Sequence, residues 1–270
     1  MSVLWYLPLA TAISSSYVAL LYTFDYGGMD RDNPESIKRR LLGATVNNVA
    51  SIACTYSVLY KHHESPLSTM GIHTRGIYTA CLLPTILTCI CYLGNWVMMY
   101  IDNNLRCLFH LNELKRNASN IIWIRNILLA PVTEEVAFRA CASTLILQCL
   151  SSTTTIFVAP IPFALSHLHH IFDDMKRGYS KYEAMSRRTF QMSYSYLFGA
   201  YATFLFVRTG NILAPIISHS VCNNMGLPLF FLIKTYPKRS TRAILWFSYG
   251  TGFILWLWLL EPFTNAKLYR

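Results

Sequence analysis

The residues best suited to chemistry form a charged cluster in an otherwise apolar stretch. The segment APVTEEVAFRA, residues 130–140, contains two adjacent carboxylates, Glu134 and Glu135, followed by Arg139. On a helix Glu135 and Arg139 lie four residues apart with the acid first, which favours an ion pair in a supporting role. Glu134 lies about 100° around the helix, so it lacks a local partner and can exchange protons. Pro131, in the segment that precedes Glu134, predicts a helix break there.

Polar side chains also occur in two later apolar stretches. His167 ends the segment FALSH, and His219 and Asn223 begin and end the segment HSVCN. His219 and Asn223 are four residues apart, so they share one face of a helix. The candidate catalytic residues are therefore Glu134, His167, His219 and Asn223.

Several kinds of chemistry are compatible with these residue types. In a hydrolase the glutamate would activate water, a histidine would assist proton transfer, and the His/Asn pair would donate to a developing oxyanion, each donor contributing about 2.7–4 kcal/mol. One carboxylate and two histidines could instead bind Zn²⁺, although no H-E-x-x-H motif is present. A transporter or proton relay also uses ionisable residues inside a membrane. Purely structural packing is the remaining alternative.

The composition predicts that these residues lie in membrane helices. Hydrophobic residues make up 53% of the chain and charged residues only 13%, whereas about a quarter of the residues are charged in soluble proteins. Since a helix needs about 20 apolar residues to cross a bilayer, we predict an all-α, polytopic transmembrane helical bundle. About eight spans are predicted, at residues 1–24, 41–60, 76–101, about 127–149, about 154–170, 189–207, 209–233 and 243–260.

The chain shows no internal repeat, low-complexity tract or separate soluble domain. We therefore predict a single membrane-embedded domain over residues 1–270, with a motif-bearing core at about 121–228. The first apolar run has no basic residue before it, which favours a retained span over a cleaved signal peptide.

Basic residues are distributed unequally between the two sets of loops. One set, within residues 31–40, 106–125, 176–188 and 234–242, contains 17 Lys and Arg residues, and the opposite set contains 5. The richer set is expected to face the cytosol, with both termini on the other side and the four candidate catalytic residues in the cytosolic half. The net charge of +10 then reflects topology and anionic lipid, and we predict no nucleic-acid partner. The acceptor pattern at Asn117 would be cytosolic and unmodified.

Three motifs, in this order, resemble those of a known family. EEVAFR at residues 134–139 fits E-E-x-x-x-R, FALSH at 163–167 fits F-x-x-x-H, and HSVCN at 219–223 fits H-x-x-x-N. With these motifs the sequence resembles the type II CAAX prenyl endopeptidases, or Ras-converting enzymes, within the glutamate-dependent intramembrane proteases. Each motif alone is weakly specific, whereas the ordered set of three is strongly specific.

The resemblance implies a protease that removes the last three residues, aaX, from farnesylated or geranylgeranylated CAAX proteins such as Ras-like GTPases. It places the activity in the endoplasmic reticulum membrane, with the active site toward the cytosol. Glu134 would activate water with His167 as its partner, and His219 and Asn223 would form the oxyanion hole. Arg139 would hold an ion pair or lie near the substrate's C-terminal carboxylate. No cofactor is implied, although the residue chemistry leaves a bound metal open, and a non-proteolytic transporter or proton relay remains the alternative function.

Overall fold

The computed structural model describes residues 5–27, 29–105 and 110–269. All regular secondary structure in these ranges is helical, which confirms the predicted all-α class. Arg106 and Arg270, both counted among the loop charges, and residues 1–4 of the first predicted span lie outside the described ranges. The main helices in chain order are α1 Tyr6–Phe24, α2 Pro34–Leu59, α3 Ile77–Cys91, α4 Leu93–Ile101, α5 Leu111–Ala118, α6 at 121–146, α7 Ser152–Lys176, α8 Lys181–Thr209, α9 Leu213–Met225 and α10 Arg239–Phe263.

The number of apolar spans is smaller than the eight that the sequence predicts. Four segments of the described chain are long and apolar enough to cross a bilayer, namely α1, α7, residues 213–235 and α10. Helices α3 and α4 make a fifth if this pair, bent by 66°, is one span. The other predicted spans fall on α2, α6 and α8, which bury polar residues such as Asn47, Glu135 and Thr203. The chain is a polytopic helical bundle, and the count of eight stays a prediction.

Helix termini follow local sequence signals. Asn33 caps α2 by accepting a hydrogen bond from the backbone N–H of Glu35, with proline in the first turn. Ser180 and Glu183 form a reciprocal capping box that begins α8. Helix α8 ends at Gly210, whose φ of 64° is a left-handed conformation that glycine adopts without a Cβ clash. These signals fix α8 at 181–209, eight residues longer at its start than the predicted span.

Helix α6 carries the charged cluster and continues through Pro131 without a break. The helix changes from α to π geometry at Arg125–Leu129, returns to α at Ala130–Glu135, and is again π at Val136–Ser143. Proline lacks the N–H that would close an α-helical hydrogen bond, and the preceding π segment accommodates the loss. The predicted helix break is therefore wrong, because a change of helical geometry takes its place.

Loops that the charge pattern assigned to one side meet at one end of the bundle. Arg177, after α7, donates to both Oδ atoms of Asp30 between α1 and α2, at 2.9 and 2.7 Å. Arg125, at the start of α6, donates to Asp32 at 2.9 Å. The hydrogen bonds from Arg177 lower the pKa of Asp30 to about 2, so this carboxylate is ionised at neutral pH. Tyr236 adds the α9–α10 connection to this end by donating to Asp102 at 2.7 Å.

The opposite set of loops meets at the other end. His63, after α2, is 2.9 Å from Gln148, between α6 and α7. His73, before α3, contacts the carbonyl oxygen of Gly210 between α8 and α9 at 2.9 Å. Thr79 donates to the carbonyl of Leu268, after α10, at 2.7 Å. The two groups of loops thus lie at opposite ends, as their Lys and Arg content predicts.

Helices α4 and α10 pack closely at Gly94. A Cβ atom on Gly94 would overlap the ring of Tyr249, which is buried in α10. We expect Gly94→Ala to destabilise the protein by about 1–3 kcal/mol, because the ring must move away in a packed interface. Thermal unfolding in detergent measures this as a lower midpoint.

Gly250→Ala is the matched control, since Gly250 lies in α10 and a Cβ atom added to it would meet no neighbouring atom within 4 Å. Alanine there should leave the midpoint unchanged or raise it slightly, because alanine is the better helix former. Equal midpoints for both variants would contradict the packing described for Gly94.

Candidate active site

A cavity of about 370 Å³ lies at the end of the bundle that carries the basic loops. It is formed by side chains from α1, α2, α6, α7, α8 and α9 and from the α1–α2 loop. Each residue predicted to be catalytic lines it, namely Glu134, His167, His219 and Asn223. Residues from three separated motifs are therefore brought to one cavity.

Glu135 is at the centre of a buried network behind this cavity. Its side chain is fully buried, and its Oε1 accepts from Arg139 Nη1 at 3.0 Å. The same oxygen lies 2.7 Å from His219 Nδ1 on α9. The local ion pair that the spacing predicted is thus present, and it is joined by a histidine from 84 residues away. Neither Glu135 nor Arg139 lines the cavity.

His219 is oriented between the two adjacent carboxylates of α6. Because an ionised carboxylate only accepts hydrogen bonds, the contact with Glu135 requires the proton on His219 Nδ1. The opposite nitrogen, Nε2, lies 3.9 Å from Glu134 Oε2. Glu134 is partly exposed, at 23% of its side-chain surface, whereas His219 is 7% exposed. One carboxylate therefore holds the ring from behind, and the other faces the cavity.

His167 and Asn223 each have one polar group held by backbone. His167 Nδ1 is 3.0 Å from the carbonyl oxygen of Phe163, which fixes the proton on Nδ1 and leaves Nε2 as an acceptor. Asn223 donates one N–H to the carbonyl of Asn126 on α6 at 2.8 Å. The second N–H of that amide is available to a ligand. Glu134 and His167 face the cavity from separate helices. In the described residues no direct hydrogen bond joins their side chains.

Phe163, the first residue of the second motif, packs among the polar residues. The Arg139 guanidinium lies 4.5 Å from the centre of its ring, and the His167 ring lies 5.0 Å from it in an edge contact. Arg139 also donates to the carbonyl of Gly199 on α8 at 3.3 Å. Arg139 is thus enclosed by an aromatic face, a backbone carbonyl and Glu135, and its exposed fraction is 1%.

Helices α1 and α2 hold α6 at the residue before Glu134. The hydroxyl of Tyr17 is 2.9 Å from that of Thr133, and Asn48 donates to the carbonyl of Thr133 at 3.0 Å. The sequence reasoning missed these residues. Asn48 was detectable, because it belongs to the polar pair Asn47–Asn48 in a predicted apolar span, and polar side chains inside a membrane generally have partners.

Three arginines that line the cavity are also not identified as site residues by the sequence motifs. The sequence analysis counts them only among the basic residues of the loops. Arg31 and Arg40 come from the α1–α2 loop and α2, and Arg125 comes from the start of α6. Glu134 is the one carboxylate among the described lining residues. The cavity wall therefore carries more positively than negatively charged side chains.

The geometry of potential metal ligands differs from the zinc site considered from the sequence. Among described residues, the group of three ligand atoms within 4.8 Å of one another belongs to His169, His170 and Asp173. Arg31 Nη1 lies 3.4 Å from His170, and Arg40 Nη1 lies 3.9 Å from Asp173, so two cations border that group. Positive charge at this distance disfavours a further cation.

The buried pair Glu135–Arg139 leads to a stability prediction. We expect Arg139→Ala to destabilise the protein by about 3–5 kcal/mol, because it leaves the charge of Glu135 buried with reduced compensation. The thermal unfolding midpoint in detergent is the measurement. Arg116→Ala is the matched control, since Arg116 is 75% exposed and pairs with Glu113 one turn away, and exposed pairs contribute about 0–1 kcal/mol. Similar shifts for both variants would refute the buried network.

Comparison with known proteins adds a separate line of evidence. The family model of Rce1-like type II CAAX prenyl endopeptidases matches residues 116–225. CAAX prenyl protease 2 of Caenorhabditis elegans is 45% identical over 245 residues, which cover 91% of this chain and 92% of the relative. CAAX prenyl protease 2 of Homo sapiens is 34% identical, with 96% of this chain and 80% of the relative covered. No solved structure matches the chain. From these similarities, the chain belongs to the Rce1-like family of type II CAAX prenyl endopeptidases.

Proposed function

We propose that this protein is an intramembrane endopeptidase that removes the C-terminal three residues from prenylated CAAX proteins. The observation that carries the proposal is that Glu134, His167, His219 and Asn223 line one cavity in a chain of this family. No observation favours the transporter or proton-relay alternative over proteolysis.

Glu134 acts as the base in the proposed reaction. Its carboxylate takes a proton from water, and the resulting hydroxide attacks the carbonyl carbon of the prenylated cysteine. His167 Nε2 accepts a hydrogen bond from the same water and orients it, since Nδ1 is occupied by the carbonyl of Phe163. When the tetrahedral intermediate collapses, Glu134 returns the proton to the departing amine, so the tripeptide leaves neutral at its new N-terminus. The proton balance closes with these side chains, and we propose that no metal is required.

His219 and Asn223 stabilise the oxyanion. Because His219 Nδ1 donates to Glu135, its Nε2 must also carry a proton in order to donate to the oxyanion. We therefore assign His219 as an imidazolium, whose charge is balanced by Glu135 behind it and Glu134 beside it. Asn223 supplies its second N–H. Arg139 pairs with Glu135 and has a positioning role.

The substrate's lipidated tail fits the remaining wall of the cavity. Apolar side chains from α1 and α2 line that wall, namely Val18, Leu21, Ile37, Leu41 and Ala44. A prenyl chain or the apolar a-a residues gain favourable burial against such a surface. Farnesylated and geranylgeranylated CAAX proteins are accordingly the proposed partners, and the bilayer presents them to the site.

We further propose that the protein resides in the endoplasmic reticulum membrane with the cavity toward the cytosol. Support comes from the loops with the higher Lys and Arg content, which meet at the cavity end. Such loops generally remain cytosolic. Prenylated proteins are cytosolic products, so this orientation gives their C-termini direct access.

Removing the base or its partner should abolish cleavage. We expect Glu134→Ala and His167→Ala each to reduce the rate of tripeptide release by about 10²–10⁴-fold, the usual contribution of a general acid–base group. The assay is mass-spectrometric detection of the tripeptide from a farnesylated CAAX peptide, with membranes that contain equal amounts of each variant. A chelator should leave the wild-type rate unchanged.

Glu64→Ala and His62→Ala are the matched controls, because both residues are exposed in the loop after α2. They should cleave like wild type. Full activity of Glu134→Ala would refute its role as base, and no cleavage by a folded wild type would refute the proposed protease.

The orientation can be tested by glycosylation. We expect Asn117, in the pattern Asn-Ala-Ser at the end of α5, to stay unmodified because it is cytosolic. A flexible tail with an Asn-x-Thr acceptor, appended after Arg270, should be glycosylated in the lumen. A mobility shift on deglycosylation reports each result. Modification of Asn117 with an unmodified tail would reverse the proposed orientation.

A further inference from the structure

Arg31 differs from the other two cavity arginines in having no described carboxylate within hydrogen-bond distance of its guanidinium. It belongs to the loop between α1 and α2, and 26% of its side-chain surface is exposed. Its Nη1 lies 3.4 and 3.5 Å from the two ring nitrogens of His170, so the guanidinium rests against the imidazole instead of bonding one nitrogen. Its nearest described carboxylate, that of Asp32, is 3.7 Å from Nε, beyond hydrogen-bond distance.

The other two cavity arginines are already engaged. Arg125 donates to Asn126 at 3.0 Å, to the carbonyl of Arg31 at 2.8 Å and to Asp32 at 2.9 Å. These three bonds use each nitrogen of its guanidinium. Arg40 donates to Asp25 at 2.7 Å, and its guanidinium lies 5.3 Å from the centre of the Tyr22 ring. Both arginines therefore hold the architecture of the loops.

The charge around Arg31 is only partly neutralised. Asp32 is shared, since it accepts from Arg125 and also from Arg177 at 2.9 Å. His170 donates to Asp173 at 3.0 Å, which directs that carboxylate toward His170 and Arg40. No described carboxylate is thus dedicated to Arg31, which lines the cavity together with one acid, Glu134.

Arg31 contacts both of the helices that carry Glu134 and His167. Arg125, which binds the backbone of Arg31, precedes Glu134 by nine residues, about 13 Å along the helix. On the other wall His170, which contacts Arg31, follows His167 by three residues of a 3-10 turn, about 6 Å. The contacts of Arg31 thus lie about one helical turn from His167 and about two and a half turns from Glu134, in the same cavity. Three extended residues span about 10 Å.

We propose that Arg31 binds the α-carboxylate at the C-terminus of the substrate. This inference rests on the proposed function, because the carboxylate lies three residues beyond the scissile bond of a CAAX tail. A planar guanidinium matches a carboxylate in a two-point contact. The contact fixes the distance from the substrate's C-terminus to Glu134. It therefore places the peptide bond three residues from the C-terminus at the catalytic base. Arg139, the arginine that the motif first suggested for this role, is buried away from the cavity.

The test compares two farnesylated CAAX peptides that differ only at the C-terminus, one with a free carboxylate and one with a carboxamide. Wild type should prefer the acid by roughly 10- to 100-fold in kcat/KM, the range expected from a hydrogen bond to a charged group. Arg31→Gln should lose that preference to within about threefold, through a higher KM for the acid and an unchanged kcat/KM for the amide. Arg31→Lys should keep an intermediate preference, since it retains the charge and loses the fork.

Arg39→Gln is the matched control, because Arg39 lies near the same loop at the start of α2, pairs with Glu35 one turn away and does not line the cavity. It should keep the wild-type preference. The proposal is overturned if wild type does not distinguish the peptides, if Arg31→Gln still prefers the acid, or if it loses both substrates equally. Cleavage of neither peptide by folded wild type would instead refute the proposed protease, and with it this assignment.

Discussion

The arrangement of the whole site depends on a carboxylate that water does not reach. Glu135 has no exposed surface and receives Arg139 and His219 on one oxygen. Removing an ion from water costs several kcal/mol even after relaxation, so the surrounding elements must be arranged to compensate it. Helix α8 approaches so closely that a Cβ atom on Gly199 would lie 3.2 Å from Arg139 Nη2. Glycine at this position lets the backbone carbonyl serve as an additional acceptor for the arginine.

The carboxylate of Glu135 also orients the His219 ring at the candidate active site. By accepting from His219 Nδ1, Glu135 fixes which nitrogen faces Glu134 and the cavity. The two adjacent glutamates thus have different surroundings, since Glu135 is fully buried in the bundle and Glu134 remains partly exposed. The π-helical segments on either side of Ala130–Glu135 alter the residues per turn around them, and such segments frequently occur at functional sites. A regular α-helix would rotate the preceding and following side chains differently relative to this pair.

The sequence predicts a large part of this arrangement because some of its determinants are local. Apolar length predicts the helical class, the i to i+4 spacing predicts the pair of Glu135 and Arg139, and loop charge predicts which loops meet. The contact between His219 and Glu135 is not predictable in this way, since spacing rules describe only neighbours on one helix. Proline chemistry alone did not distinguish a break at Pro131 from a π segment. The number of apolar helices is smaller than the number of predicted spans because some helices bury polar side chains in the protein interior. These polar residues lower the mean hydropathy of a helix even where the rest of its surface is apolar.

The position of the loop that carries Arg31 cannot be predicted from the local sequence. Its position depends on contacts of Asp30 with Arg177 and of Asp32 with Arg125, which join segments about 90 to 150 residues apart. In the sequence, the arginines of these loops indicate only which side of the membrane the loops face. Only their arrangement in space separates the arginines that hold the loops from the one that faces a substrate. Function at this end of the bundle is therefore a property of the assembled loops.

Two neighbouring isosteric substitutions, Glu134→Gln and Glu135→Gln, test most directly whether the two carboxylates have separate roles. For each variant the thermal unfolding midpoint and the release of tripeptide from a farnesylated CAAX peptide are measured on the same preparation. We expect Glu134→Gln to lose cleavage and to keep a midpoint near that of wild type, whereas Glu135→Gln should lose cleavage and also unfold at a lower temperature. A stable Glu135→Gln protein together with an active Glu134→Gln protein would contradict the division of roles between the two carboxylates.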